Sequence, residues 1–479
     1  MKMVALGGAI DPEGKLPSIG GSAVAFIEGR SALLVDYGSY PVSSAKRQEH
    51  ARHIMSLPRM DKHVEIGGEK FPIMPRLGEI SYVDEEYLKL TNECFADPSI
   101  LYDMNRIDVF VTHAHADHVG GLPHLRRLFP HMRAYMTEPT LDMSRWSWYD
   151  AQRIAARKRI ELFYSGWDVE NVIGSTGIIH VQPFACGPFL VEPGHPGHIL
   201  GARSCVVSMK DGHGPRVFCT GDISFDDQRT VRGAVLPQGP VDYIVSESTY
   251  AGKTRKVRGD VERNLIVGMG TALGRDGKVL FPALTIGRSI EIFELLLKAG
   301  VTNKFPVFID GAAREIAAIY QKFSACYPSI GQHFVTTRAM REEILRSNKP
   351  LVMIAPSGML VGGFSVQYFA QWAPGERNLV GLTSFQDSCL PGYSIMNVPR
   401  GTAVRLGDEK RKIKVPLLAN VAHFALSAHA SGEQILRMID VVAPKTTFLV
   451  HGEESGMNKL VSKTSAHLEK TYIGKHYNL

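Results

Sequence analysis

Three histidines and an aspartate crowd into one short run of this 479-residue chain, Asp108-Val-Phe-Val-Thr-His-Ala-His-Ala-Asp-His118. The run opens with β-formers and is followed directly by Gly120 and Gly121, so the cluster falls where a strand gives way to a turn. In an extended segment His113 and His115 project to the same side and can grip one ion. Asp117 and His118 fall in the turn beyond and can reach a neighbouring ion. Imidazole nitrogen with some carboxylate oxygen suits zinc, with manganese or iron next. Four ionisable groups at one strand end without a metal would leave costly unpaired polar atoms, so the expectation is a metal centre.

Other strand-like runs also end in groups that could join such a centre. Pro193-Gly-His-Pro-Gly-His198 precedes a strand-like Cys205 to Met209 and offers both His195 and His198. Val217-Phe-Cys-Thr-Gly-Asp222 and Val241-Asp-Tyr-Ile-Val-Ser-Glu247 each deliver an acid at the end of an apolar run. Near the other end of the sequence stand Ser427-Ala-His429 and Phe448-Leu-Val-His451-Gly-Glu453.

The elements that must position these groups change character along the chain. Residues 1 to 38 alternate short apolar runs with glycines and read as consecutive strands of an antiparallel meander, closing on Asp36. Between 39 and 105 a mixed charged segment with prolines and with His50, His53 and His63 reads as a partly helical insertion whose histidines lie at the surface. Leu122 to Phe129 reads as a short helix carrying Arg126 and Arg127. Arg145 to Ile160 reads as a longer one with a basic face of Arg153, Arg157, Lys158 and Arg159, solvated or turned toward phosphates.

After Glu247 comes a basic loop with Lys253, Arg255, Lys256 and Arg258. Strand signals at Val279 to Phe281, Val307 to Ile309, Leu351 to Ala355 and Leu379 to Leu382 then alternate with helix signals at Arg288 to Leu297, Ala312 to Tyr320 and Phe364 to Gln371. That alternation implies a largely parallel α/β insert.

Composition excludes several classes. With 44% hydrophobic and 21% charged residues the chain is that of a soluble globular protein, too long for one ordinary domain. A net charge of +6 is compatible with a polyanionic partner. Cys94, Cys186, Cys205, Cys219, Cys326 and Cys389 form no C-x-x-C pair, which argues against a thiolate zinc site and for reduced thiols. The opening apolar run is broken by Asp11, Pro12, Glu13 and Gly14 before a signal peptide could form. No apolar stretch reaches the roughly 18 to 20 residues of a membrane span. A cytoplasmic protein without a membrane partner is expected.

The segment from His113 to His118 resembles the His-x-His-x-Asp-His signature of the metallo-β-lactamase superfamily. The order Glu-Ser-Thr-Tyr, Phe-Pro-Ala-Leu-Thr-Ile-Gly-Arg, Ser-Gly-Met-Leu-Val-Gly-Gly, Ser-Ala-His and Val-His-Gly-Glu narrows this to a resemblance to the β-CASP nucleases. That family includes the endonuclease subunit of the pre-mRNA 3′-processing machinery and bacterial ribonuclease J. The resemblance implies an αββα sandwich interrupted by an inserted α/β β-CASP domain. Its metallo-β-lactamase part would run over residues 1–250, with the insertion at about 39–105, and resume at 416–479 around a β-CASP insert at 251–415.

By the same resemblance His113, His115 and His198 would hold one metal and Asp117, His118 and His451 the other, with Asp222 between them. His195 competes with His198, and Asp36 would support the site from behind. Asp117, Glu247 and His429 would be the catalytic residues, His429 protonating the leaving oxygen under the direction of Glu247. Two divalent ions, zinc or alternatively manganese, would lower the pKa of a shared water and neutralise charge on the scissile phosphate. Histidine at position 451, where DNA-directed relatives generally carry valine, favours RNA, single-stranded, as substrate.

The chain departs from the family pattern at Ser431, where relatives usually have aspartate, and at Ala251, where they have glycine; altered substrate positioning is the expected effect. The readings that compete are a DNA nuclease on the same fold, a silent RNA-binding subunit of a processing complex and a small-molecule hydrolase. A homodimer, and internal versus 5′-end attack, are left open by the sequence.

Overall fold

Two seven-stranded sheets, each drawn from distant parts of the chain, face one another and carry the chemistry at one edge. The computed structural model describes residues 1–14, 16–40, 63–66, 69–72, 95–158, 162–323, 330–386, 390–406 and 413–479. Most of the insertion expected at 39–105, with His50, His53 and the side chain of His63, lies outside the described residues, as do Cys94, Arg159, Cys326, Cys389 and the side chain of Lys158.

The first sheet runs His476–Asn478, Lys2–Gly7, Ala23–Glu28, Ser31–Val35, Arg106–Phe110, Arg133–Met136, Gly177–Ile178 in spatial order. Its strands from residues 2 to 35 form the antiparallel meander expected from their alternating apolar runs. The second sheet runs Leu468–Lys470, Thr446–Val450, Tyr243–Glu247, Val217–Cys219, Ser204–Met209, Phe189–Gly194, Phe184–Cys186. Phe26, Leu33 and Phe110 from the first sheet bury against Phe189, Val207, Val217 and Phe448 from the second.

The outer face of the first sheet is covered by helices Leu122–Leu128, Glu138–Lys158 and Gly166–Ser175, whose Leu125, Trp148 and Val172 join its Leu34, Val109 and Ala134. Helices Gly432–Val442 and Glu454–Val461 cover the second through Ile435, Met438 and Leu460. The layers are therefore α, β, β, α.

A third sheet is wholly parallel, in the order Val307–Ile309, Val352–Ala355, Val279–Pro282, Leu379–Leu382, Asn420–His423. Helices pack on both faces of it, which is why its strands read as unbroken apolar runs rather than alternating ones. Its edge strand Asn420–His423 lies beyond residue 415, where the α/β insert was expected to end. Helix Arg288–Lys298 starts at the carboxyl end of the sheet, as does Gly363–Trp372. In parallel α/β sheets that end is where ligands bind. Among the described residues no helix is long and apolar enough to cross a membrane.

The basic features read from the sequence take mixed roles. Arg126 donates to the carbonyls of Pro130 and Met132, and Arg127 to that of Phe163, so these two stitch the fold. Arg153 and Arg157 stay exposed on their helix. Arg255 and Arg258 are not the free basic loop expected. Arg258 opens helix Arg258–Leu273 and is buried against Glu262 and Glu291, while Arg255 pairs with Asp226. Glu262 lies one helical turn from Arg258, but Asp226 and Glu291 lie far off in sequence, beyond the reach of a local charge pattern.

Candidate metal centre

Strand Arg106–Phe110 ends one turn before His113, and the loop it feeds is strapped from several directions. Ser22 donates its backbone N–H to Asp117 O (2.8 Å), Tyr37 to His118 O (2.9 Å) and Ser39 to Ala116 O (2.9 Å). Gly38 must lack a side chain for this approach, because a Cβ there would lie 1.7 Å from Asp117 O.

Behind the loop, Asp36 accepts hydrogen bonds from the Thr112 N–H and hydroxyl, both at 2.7 Å, and faces His118 Nδ1 at 2.7 Å. On the opposite sheet, strands Tyr243–Glu247 and Thr446–Val450 run parallel in a register that pairs Glu247 with Val450. This brings His451 next to the end of the strand that delivers Glu247. His451 is fixed by its own N–H to Gly8 O (2.6 Å) and by Thr249 Oγ1, 3.1 Å from its Nδ1. Asp36 and His451 both adopt left-handed backbone, φ 65° and 50°. Conformations of this kind cost about 1–3 kcal/mol each in residues other than glycine and gather at functional sites.

The expected site residues fall into three groups of mutually close donor atoms. His113, His115, His198 and Asp222 form one, Asp117, His118 and His451 a second, and Asp222, Glu247 and His429 a third. His115 Nδ1 lies 3.0 Å from His113 Nε2 and 3.1 Å from His198 Nε2. Asp222 touches the first group through Oδ2, 3.4 Å from His113 Nε2. Through Oδ1 it touches the second, 3.3 Å from His118 Nε2 and 3.5 Å from His451 Nδ1. His451 Nε2 is 3.2 Å from Asp117 Oδ2. His195 stands apart, its Nε2 3.1 Å from the Arg232 carbonyl.

The donor set fits metal ions on its own hydrogen bonding. His198 Nδ1 lies 2.8 Å from the Ala428 carbonyl, which can only accept, so Nδ1 carries the proton and Nε2 turns a lone pair toward the His115 ring. His118 Nδ1 likewise donates to Asp36, leaving a buried Nε2 that, like Asp222 Oδ1, has no hydrogen-bond partner. Lone pairs converging in a buried space are costly alone and favourable around a cation.

Electrostatics agree at His113, His198 and Asp222. Burial, reinforced by the neighbouring imidazoles, holds His113 and His198 well below the ordinary histidine range, the deprotonated form a ligand requires. Burial opposes ionisation of Asp222, but the surrounding histidines outweigh it and hold its carboxyl well below the usual range. His118 goes the other way: burial disfavours its charged form, but Asp222 and Asp36 outweigh it and hold its pKa well above the ordinary range, so a cation would take the place of its proton. His429 follows His118. Burial disfavours its charged form, yet Glu247 and Asp222 prevail and raise its pKa to about 9.

Glu247 is 3.0 Å from His429 Nδ1 through each carboxylate oxygen and is itself held by the Ile223 N–H at 2.8 Å. The His429 loop is clamped from beneath by Arg255, which donates to His429 O, and by Arg258, which donates to Ser427 O at 3.2 Å. Exposure separates the roles. The side chains of His113, His118, His198, Asp222, Glu247 and His451 are 4% exposed or less, whereas Asp117 retains 33% and His429 20%. Those two can meet a substrate.

Ser431 caps helix Gly432–Val442, its hydroxyl accepting from Gln434 N while the Gln434 side chain returns to Ser431 N. Ala251 is buried in the turn that follows Glu247. Thr112, Thr249 and the Ala428 carbonyl, which orient the histidines, escaped the sequence reading. Thr112 could have been found from its place directly before His113, at the end of a strand beside Asp36.

Comparison with known proteins follows the same outline. Residues 107–268 match the model of the metallo-beta-lactamase superfamily, 290–395 that of the Beta-Casp domain and 414–473 that of a Zn-dependent metallo-hydrolase RNA specificity domain. The chain is 32% identical to transcription termination factor FttA of Pyrococcus abyssi, over 72% of this chain and 57% of the relative. It is 27% identical to endoribonuclease YSH1 of Gibberella zeae, over 79% and 51%. With cleavage and polyadenylation specificity factor subunit 3-II of Arabidopsis thaliana it shares 27% over 75% and 60%. The chain thus spans little more than half the length of these relatives. A crystal structure of a protein of unknown function from Enterococcus faecalis V583 shares the fold, with a TM-score of 0.56 at 14% identity over the whole of both chains. With metal-ligand motifs, an interrupting parallel sheet and three successive family models in their expected order, the chain belongs to the β-CASP family of the metallo-β-lactamase superfamily.

Proposed function

We propose that this protein hydrolyses phosphodiester bonds of single-stranded RNA at a centre of two divalent ions. The observation that carries the reading is the placement of His429, tied to Glu247 at 3.0 Å and facing the cleft beside two donor groups that share Asp222. His113, His115 and His198 would hold one ion and Asp117, His118 and His451 the other, with Asp222 between them. Nitrogen-rich donors and a family model described as Zn-dependent support zinc. When bound, the pair supplies an acidified water and positive charge opposite the phosphate.

The rest of the step belongs to the chain. Glu247 accepts from His429 Nδ1 and favours the imidazolium, so the far nitrogen can give its proton to the departing oxygen of the ribose–phosphate bond. Asp117, tied to His451, orients the attacking side. Residues 1–250 and the chain beyond His423 would form the metal-bearing part, and 251–423, which includes the edge strand Asn420–His423, the lid over the cleft. RNA rather than DNA is supported by His451 and by relatives named as endoribonucleases. Buried, unpaired thiols at Cys186, Cys205 and Cys219 suit a reducing, cytoplasmic setting.

The test is cleavage of end-labelled 5′-phosphate RNA, 5′-hydroxyl RNA and matched DNA by the purified protein with zinc or manganese. Elemental analysis and the variants His115→Ala and His429→Ala accompany it. The expected result is metal-dependent RNA cutting, slowed about 10²–10⁴-fold by His429→Ala while its metal content is kept. Equal cutting of DNA would replace the reading with a DNA nuclease, and absence of turnover with both metals bound would replace it with an RNA-binding subunit.

A further inference from the structure

Across the cleft from the histidines, the insert contributes one side chain whose chemistry is unused. A cavity lies between His115, His198 and His429 on one side and Leu284, Ile286 and Arg288 on the other. Arg288 is 8% exposed, and its buried Nε and Nη1 have no hydrogen-bond partner. A guanidinium offers five donors and no means of losing its charge at neutral pH, so leaving the three on Nε and Nη1 without partners inside a protein is costly.

The neighbouring acids do not answer for it. Glu291, one turn along the same helix, receives the Arg229 and Thr230 backbone N–H groups at 2.8 and 2.9 Å, the Thr230 hydroxyl at 2.8 Å and Arg258. Glu262 is taken by Arg229 and Arg258. Every other arginine on this flank is paired: Arg255 with Asp226, Arg258 with Glu262 and Glu291, Arg229 with Glu262. Burial, with Arg258 close by, lowers the Arg288 pKa to about 10, and the field of Glu291 offsets only part of this.

The backbone fixes where that anion would sit. Arg288 opens helix Arg288–Lys298, 11 residues long, at the carboxyl end of strand Val279–Pro282, where the helix field also favours negative charge. Gly287 turns the chain into that helix with φ 84°, and a Cβ there would lie 2.7 Å from Ile199 Cγ2, one residue after the ligand His198. The backbone that carries Arg288 is thereby packed against the loop that carries His198.

We propose that Arg288 is a substrate-binding residue that clamps one backbone phosphate of the nucleic acid, at or next to the bond being cut. Nε and Nη1 lie on different edges of the guanidinium, and each forms with Nη2 a two-donor edge that matches two phosphate oxygens. The inference rests on the phosphodiesterase reading and adds to it a second anchor, on the insert, opposite the metals.

The experiment uses RNA oligonucleotides in which one phosphate at a time around the cleavage site is replaced by an uncharged methylphosphonate. Cleavage and fluorescence-anisotropy binding are measured with the parent, Arg288→Met and Arg288→Lys. With the parent, one position other than the cleaved bond, or binding at the cleaved bond itself, should suffer a loss of about 100-fold. Arg288→Met should show that loss on unmodified RNA and no more than about 3-fold further loss at that one position, the signature of a shared contact. Arg288→Lys should regain part of it, as a point charge without the fork.

Metal content should be unchanged, and the melting temperature of Arg288→Met should be equal or higher, because an unpaired buried charge is replaced by an apolar chain of similar length. The inference is overturned if Arg288→Met keeps the parent's sensitivity at every position, or if it loses metal and melting temperature together. If the parent cuts no nucleic acid, the phosphodiesterase reading fails separately, and the binding measurements still decide whether Arg288 meets a phosphate.

Discussion

On the metal flank of the cleft, polar side chains are held on the face turned away from the centre: His118 by Asp36, His198 by the Ala428 carbonyl, Glu247 by the Ile223 N–H. On the insert flank, Arg288 is also buried yet lacks such ties on Nε and Nη1. Both arrangements leave buried atoms without partners, and Arg288 shares its cavity with His115, His198 and His429. A buried polar group braced from behind is prepared for a partner of fixed geometry such as a metal. One left unbraced keeps its full bonding capacity for a partner that arrives and departs.

The most damaging way to break the metal flank is Asp222→Ala, which removes the carboxylate whose two oxygens face both donor groups while sparing the braces on His118, His198 and Glu247. Metal stoichiometry should fall and RNA cleavage should drop by about 10³-fold or more. Elemental analysis beside a cleavage assay checks this, and retention of both metals would show that Asp222 is not shared.

A smaller effect is expected from Gly287→Ala on the opposite flank. The left-handed φ and the approach to Ile199 together should cost about 1–3 kcal/mol in stability, read by thermal denaturation, and misplacing Arg288 should slow cleavage up to about 100-fold with metals retained. A variant that melts and cuts like the parent would show that the flanks are not coupled through this contact.

The smallest effect concerns Glu294, which sharpens the contrast by showing an insert acid with no cation bonded to its buried Oε1. Burial, aided by Glu291 and opposed by Lys298, raises its pKa from the usual 4.5 to about 7. A carboxyl raised on folding contributes its stability fully below the unfolded pKa and loses it as pH rises through the folded one. Glu294→Gln should therefore melt slightly higher than the parent at pH 8 and no higher at pH 4. Equal melting temperatures at both pH values would count against a raised pKa.

The sequence made the metal flank legible and left most of the insert flank hidden, for a physical reason. Each candidate ligand follows an apolar strand run, so its type and its place at a strand end could be read together, as with Val217 to Asp222. Which of His195 and His198 joins the cluster needed the fold, because two imidazoles three residues apart in a glycine-rich loop have no fixed relative direction. Helix Arg288–Lys298 was legible within a residue, but its spacing suggests an ordinary pair between Arg288 and Glu291. In the folded protein Glu291 is claimed by Arg258 and the Arg229–Thr230 backbone, partners that no local pattern announces. The edge strand Asn420–His423 was hidden likewise, since its place beside Leu379–Leu382 is a matter of long-range pairing.

Asp117 and His451 stand 334 residues apart along the chain yet 3.2 Å apart in space, and the strand preceding His451 must slot beside Tyr243–Glu247 to bring them there. During translation, a ribosome that has released the strands from Lys2–Gly7 to Gly177–Ile178 and even the whole parallel sheet has still not delivered His451. A growing polypeptide, or one cut within the insert, therefore carries most of the donor atoms without a working centre. The donor set is completed only after synthesis has passed residue 451, so the order of the strands acts as a timer on the assembly of the site.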